Sequence, residues 1–279
     1  MVYTRKSETQ NLPKADSLSG LIPMARAPRT DRSSGQILQK QNLGLMLAIE
    51  QSSDTGSAAI INAGKIPGEC EWDSVESRGC GLFKCLNKLI ESVGINLKDI
   101  DRYIVDVGPG SYGGLRASMA AVKAFAMPDK KPVYALTAPE TIAFEIMQET
   151  SVDTVQVVGD ARRRQLWTCA YKSDGKIPIL CSKLCLVPEN DLCSSSGTVI
   201  VSPDWHRLKA RLEAVATADV RVIKEIRIPK AASLGILACK KMELNMPSEP
   251  LCPVYMHAAV GSVKRDSPAR IATRSVAGG

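Results

Sequence analysis

The nine residues Gly108 to Arg116, reading Gly-Pro-Gly-Ser-Tyr-Gly-Gly-Leu-Arg, concentrate more chemical potential than any other stretch of the chain. Four glycines fall within seven residues, between an apolar run (Tyr103 to Val107) and a run of helical character (Ala117 to Met127). Glycines placed so let the backbone turn sharply and leave bare N–H groups open to a close neighbour. Two chemistries fit. The loop can cradle a phosphate at the start of a helix, with Gly108, Gly110, Ser111 and Gly114 supplying contacts and Arg116 a charge. Alternatively, Gly113 and Gly114 let the helix pack closely on its surroundings. The loop holds no lysine, which favours packing.

Other chemistries lack their residues. The chain has two histidines, His206 and His257, separated by 51 positions, so no His-x-x-x-His metal motif, Ser-His-Asp arrangement or Cys-His pair presents itself. His206, beside Trp205 at an expected helix start, reads as a surface or half-buried side chain. Cys181, Cys185 and Cys193 match no zinc spacing. The nine cysteines are odd in number and scattered, with no secretory signal ahead of them, and read as reduced, mostly buried thiols of a cytoplasmic protein. No metal is expected.

The net charge of +7 belongs to the ends. Residues 1–40 carry seven Lys/Arg against three Asp/Glu, residues 261–279 four against one, and 41–260 hold 25 of each sign. A neutral core argues against a broad nucleic-acid surface. Both ends lack apolar periodicity and are expected to be disordered. Residues 1–40 are basic and rich in Ser and Thr, as organellar transit peptides are, yet they show no clear amphipathic helix and contain Glu8, Asp16 and Asp31. They read as a dispensable extension. No apolar run reaches the roughly 18–20 residues of a membrane-spanning helix.

The elements that would hold the loop alternate between strand and helix. Strands are expected at Leu43 to Ile49, Ser57 to Asn62 and Gly68 to Asp73. Leu82, Leu86, Leu89, Ile90 and Val93 form the apolar stripe of an amphipathic helix that Gly94 ends. Strand Tyr103 to Val107, the glycine loop and a helix closed by Pro128 follow, then strand Pro132 to Leu136. Thr137, Pro139 and Glu140 read as a capping box opening a helix to about Glu149. A second round begins at Thr154, with strands at Val155 to Gly159, Gln165 to Lys172, Ile177 to Val187, Thr198 to Ser202 and Val220 to Ile228, and a helix at Ala231 to Leu244. Two successive β-β-β-α-β rounds suggest a duplicated α/β lobe around a cleft.

The chain resembles the TsaB (YeaZ) family, whose fold is that of the actin-like and RNase H-like ATPases. Leu47-Ala48-Ile49-Glu50-Gln51-Ser52-Ser53 is similar to that family's opening Leu-Ala-Ile-Asp-Thr-Ser, and Gly108 to Arg116 to its Gly-Pro-Gly-Ser-Phe-Thr-Gly-Leu-Arg. Asp160-Ala161-Arg162-Arg163 and Pro253-Val254-Tyr255-Met256 follow in family order. The resemblance implies two lobes of β-β-β-α-β-α type, the second reduced, bounded at 41–151 and 152–260 between the ends 1–40 and 261–279. It also implies a role in threonylcarbamoyl modification of the tRNA adenosine beside the anticodon. There the chain would be a non-catalytic, cytoplasmic heterodimer partner of TsaD that helps the ATPase TsaE act. It would have no cofactor of its own and meet tRNA through the complex, with ATP or ADP only at the partner interface.

In this fold class, phosphate-bound metal usually sits between an Asp of the first strand and the second lobe. Here Glu50 stands where Asp is common, one methylene too long for that geometry, and Asp160 is its counterpart or else a turn residue pairing with Arg162 or Arg163. Gly113 replaces a family Thr, and Gly79-Cys80-Gly81 replaces a His-Ser-Glu, so the first long helix is expected to start poorly capped. The partner face is expected on the first two long helices, at Leu82, Phe83, Leu86, Ala117, Ala121 and Ala124, because Phe83 lies off the apolar stripe and the second helix is dense in alanine. Two other readings remain: an autonomous nucleotide-dependent kinase or hydrolase working in the Glu50, Gly108–Gly114 and Asp160 cleft, and an RNA-binding accessory protein acting through the basic ends.

Overall fold

The computed structural model describes residues 43–74 and 80–257. The expected disorder of the two ends, and Gly79, lie outside the described residues. Two five-stranded sheets share one plan. In the first, β1 (Leu45–Glu50), β2 (Thr55–Asn62) and β3 (Lys65–Asp73) form an antiparallel meander, and β4 (Arg102–Asp106) and β5 (Val133–Leu136) add parallel to the other side of β1. The order is β3-β2-β1-β4-β5. The second sheet repeats it as β8-β7-β6-β9-β10, from β6 (Thr154–Arg162), β7 (Gln165–Ser173), β8 (Pro178–Pro188), β9 (Thr198–Ser202) and β10 (Arg221–Ile226).

Helices α1 (Gly81–Val93) and α2 (Tyr112–Ala126) cover one face of the first sheet. Leu82, Leu86 and Leu89 of α1 and Met119, Val122 and Ala126 of α2 join Leu47, Ile49, Tyr103 and Val105 in one core. Gly94 ends α1 in the left-handed conformation, φ 72°, giving its N–H to the carbonyls of Ile90 and Glu91. The expected weak start of α1 is present: Cys80 caps it with no side-chain bond. Helix α4 (Trp205–Ala214) covers the corresponding face of the second sheet. No α-helix fills the β8–β9 connection where α1 stands in the first lobe, only a 3-10 turn at Glu189–Asp191, so the second round is β-β-β-β-α-β-α, shorter by that helix.

Helices α3 (Ala138–Thr150) and α5 (Ala231–Glu243) change places. Helix α3 follows the first sheet but packs its Ile142, Ala143, Ile146 and Met147 on Val155, Val157, Val199 and Val201 of the second. Helix α5 follows the second sheet but packs Leu234, Leu237 and Ala238 on Met46, Ala48, Ala59 and Ile61 of the first. Gly235 makes this possible, since a Cβ there would fall 2.3 Å from Ile61. The exchanged helices are joined by a buried ion pair, Lys241 Nζ to Glu140 Oε1 at 2.6 Å.

That pair corrects one expectation. Thr137 caps α3 through the Glu140 N–H, but the Glu140 carboxylate turns inward to Lys241 instead of completing a capping box. The cysteines bring another correction. Cys70 of β3 and Cys85 of α1 are disulfide-bonded, and among the free thiols only Cys169 and Cys239 are buried, while Cys80, Cys181, Cys185, Cys193 and Cys252 are exposed. Cys181 and Cys185 lie on β8, an edge strand with most of its side chains in solvent, so strand position rather than residue type sets their exposure. Among the described residues no helix is long and apolar enough to cross a membrane.

Candidate functional site

Glu50, the last residue of β1, and Asp106, the last of β4, come together beneath the glycine loop, and both are fully buried. Glu50 Oε1 accepts from the Ser52 N–H and hydroxyl, each at 2.5 Å, and Asp106 Oδ1 accepts from the Gly108 N–H at 2.7 Å. Glu50 Oε2 and Asp106 Oδ2 receive no N–H or hydroxyl donor from other groups. Burial, and then the Asp106 charge, push the Glu50 carboxyl well above the usual range, while burial lifts Asp106 to about 6. The arrangement holds the loop to the strand ends. Asp106 is a residue that the sequence pattern conceals, because its alternation with apolar neighbours makes it look like an ordinary strand position.

The glycine loop lies against the β1–β2 turn. Added Cβ atoms would fall 2.2 Å from the Ser52 carbonyl oxygen at Gly110 and 2.0 Å from that of Gln51 at Gly114. At Gly108 φ is +92°, which only glycine adopts without strain. Gly113 has nothing within 4 Å, so close packing rests on Gly110 and Gly114 and not on Gly113. Helix α2 begins at Tyr112, five residues earlier than expected, which puts Gly113 and Gly114 inside its first turn. Ser111 is its cap, accepting from the Gly114 N–H, and the Ser111 N–H itself goes to the Ser52 carbonyl at 2.6 Å. Several N–H groups that could have held a phosphate are thus occupied within the protein.

Asp160 sits at the opposite wall. It binds Arg162 at 3.0 Å and Arg207 of α4 at 3.8 Å, and makes no ion pair with Arg163. Its N–H donates to Asp204 Oδ2 at 2.9 Å, and Asp204, raised chiefly by burial, pairs in turn with Arg207. Between these walls lies a cleft of about 700 Å³. Gly110, Ser111, Arg116 and Asp160 line it, whereas Gly108, Gly114 and Glu50 are not among its lining residues. Sequence reasoning missed Tyr112, Asp204, Arg207 and the segment 254–257, which also line it. That segment is led to the cleft by backbone bonds from Glu249 to Ala135 and from Val254 to Val107, and His257 Nε2 lies 2.6 Å from the Ala161 carbonyl oxygen. His206 is exposed, as expected. Among the described residues no cluster of His, Cys, Asp and Glu is arranged to hold a metal ion.

The anticipated partner face divides. Leu82, Leu86 and Ala121 point into the core, because they fall on the stripe that meets the sheet. Phe83, Ala117 and Ala124 face outward, joined by Met127 at the end of α2. Phe83 is 53% exposed and Met127 74%, and the Phe83 ring meets Phe125 of α2 edge-on at 6.4 Å.

Residues 81–198 match the family model TsaD, tRNA N6-adenosine threonylcarbamoyltransferase. An uncharacterized protein of Mycobacterium tuberculosis is 26% identical over 136 residues, 48% of this chain and 62% of that protein. The tRNA threonylcarbamoyladenosine biosynthesis protein TsaB of Bacillus subtilis is 24% identical over 127 residues, 46% of this chain and 55% of that one. The chain therefore spans about three-fifths of the length of these curated relatives. The structure of YeaZ from Pseudomonas aeruginosa superposes with a TM-score of 0.65 and 19% identity, over 76% of this chain and all of that one. The chain resembles the TsaB (YeaZ) family. The fold shared with YeaZ is a two-lobed α/β architecture, here with both sheets complete and the second lobe short of one helix. The TsaB protein and the TsaD model with which the chain shares sequence are both named for the threonylcarbamoyl modification of tRNA.

Proposed function

We propose that this chain is a non-catalytic partner of a TsaD protein in the threonylcarbamoyl modification of tRNA adenosine beside the anticodon. The observation that carries the reading is the likeness to YeaZ over the whole of that chain, joined by the sequence likeness to TsaB. Supporting it, the glycine loop of this chain is bedded on its own β1–β2 turn, and Glu50 and Asp106 lie sealed beneath it instead of lining the cleft. In this reading TsaD and the ATPase TsaE supply catalysis, any ATP or ADP sits at the partner interface, and tRNA is met through the complex. The partner surface is the outward side of α1 and α2, with Phe83 as its anchor beside Ala117, Ala124 and Met127. An exposed aromatic at 53% on an otherwise polar helix face suits an interface.

The test is co-purification with TsaD of the same cell, followed by tRNA modification with TsaE present. The full chain should co-elute with TsaD and raise modified tRNA. Phe83→Glu should abolish both while leaving far-ultraviolet circular dichroism unchanged, since the side chain is half in solvent. A folded Phe83→Glu protein that pairs and modifies normally would place the interface elsewhere, and no association of the unaltered chain would overturn the proposal.

A further inference from the structure

Tyr112 and Tyr255 form a braced pair at the mouth of the cleft. Their ring centroids are 5.0 Å apart at a 32° tilt, the Arg116 guanidinium lies 4.0 Å over the Tyr112 ring, and Arg116 Nε donates to the Tyr255 hydroxyl at 3.1 Å. Yet Tyr112 is 54% exposed and Tyr255 41%. In a chain with only 4% aromatic residues, two rings pre-stacked, fixed by a guanidinium and open to solvent make a surface for another flat group.

A cationic turn stands beside them. Arg162, Arg163 and Arg164 connect β6 to β7 with φ of 66°, 53° and 58°. Asn and Gly are the usual occupants of such positions, and three arginines there carry backbone strain. Arg162 is held by Asp160, while Arg163 and Arg164 are exposed and have no carboxylate at ion-pair distance among the described residues. Platform and turn are neighbours, because Ala161 bonds His257, two residues from Tyr255, a span of at most about 7 Å.

The lining also selects against one ligand class. Asp54, Asp160 and Asp204 share the cleft with Arg116, Arg162 and Arg207, and Arg162 and Arg207 are engaged by Asp160 and Asp204, so a polyphosphate finds no net positive charge there. A strand with one phosphate per base suits a few arginines and a stacking surface better. We infer that the mouth of this cleft binds a nucleotide of single-stranded RNA, its base stacked on Tyr112 and Tyr255 and an adjoining phosphate on the turn of Arg162 to Arg164. The site is local, which agrees with the charge neutrality of residues 41–260. It rests on the cleft alone and does not depend on the pairing with TsaD.

The probe is a short oligoribonucleotide containing 2-aminopurine, whose fluorescence is quenched by stacking, titrated with the full chain. Binding by charge at the basic ends leaves this signal bright, so the readout is specific to the platform. The unaltered chain should quench it. Tyr112→Ala should weaken the quenching-linked affinity about tenfold, Tyr112→Phe should keep it, and Arg163→Ala with Arg164→Ala should lower affinity and flatten its salt dependence. All variants should melt with the unaltered chain, since these side chains are exposed. Absence of quenching, or quenching unchanged in folded Tyr112→Ala, would overturn the site. Competition by AMP as effective per base as by the strand would make a free mononucleotide the ligand and overturn the RNA assignment.

Discussion

In the first lobe the strand next to the central one ends at Asp106 and passes through a glycine-rich loop into the fifteen-residue helix α2. Its counterpart in the second lobe ends at Ser202 and passes through Pro203 and Asp204 into the ten-residue helix α4. The strand order is the same, but the loops do opposite work. In the first lobe a buried carboxyl pair and two glycines, Gly110 and Gly114, clamp the loop to the β1–β2 turn. In the second lobe a side chain makes the clamp, since Asp204, its N–H held by the Ser202 hydroxyl, takes the Asp160 N–H. The hairpins differ in kind as well, Gln51 and Ser52 being buried and Arg162–Arg164 standing open. One topology can therefore supply a sealed wall and a charged wall to the same cleft, with the difference made by a few loop residues.

The exchange of α3 and α5 is where that two-lobed plan is most easily broken. Lys241→Met leaves the Glu140 carboxyl buried without its cation and should lower stability by about 3–5 kcal/mol in urea unfolding. Glu140→Leu combined with Lys241→Met should recover most of the loss. If the single variant unfolds like the unaltered chain, the pair does not join the lobes.

The carboxyl pair distinguishes the first lobe by its pH response. Unfolded Asp and Glu titrate near 4, and both groups titrate higher in the folded protein, Asp106 at about 6. Folding thus disfavours ionisation here: the contribution is intact below about pH 4 and is lost as pH rises through about 6, on the order of 2–3 kcal/mol for Asp106. Comparing stability at pH 4 and pH 7 for the unaltered chain and for Asp106→Ser, which copies the second lobe's residue, should show a smaller fall in the variant. Equal falls would show that the pair does not titrate as described.

The finest comparison lies within the loop. Gly114→Ala forces a Cβ against the Gln51 carbonyl and should cost about 1–3 kcal/mol. Gly113→Ala, one residue away with open space around it, should stabilise α2 by up to about 1 kcal/mol. Thermal unfolding of the two reads the difference. Similar shifts from both would show that the loop is not seated on the turn.

Periodicity and turn chemistry were enough to place the strands and helices α1, α3 and α5, because strand alternation, the α1 stripe, Gly94 and Thr137 act on a few consecutive residues. The start of α2 escaped that logic, since Ser111 as a cap is visible only when its side chain meets the Gly114 N–H, and glycines at 113 and 114 look unlike helix. Residue type also marked Phe83 as out of place and Gly108 to Arg116 as a special turn. Which glycines are compelled by contact, and that Glu50 is sealed away with Asp106, depended on β1 and β4 lying side by side. Tyr255 and His257 reach the cleft only because the chain beyond α5 returns along β5 and β4, and α5 lies on the first sheet although it follows the second. Local sequence fixes what a segment prefers to be. Long-range packing decides which buried faces pair, and with that, which side chains share a site.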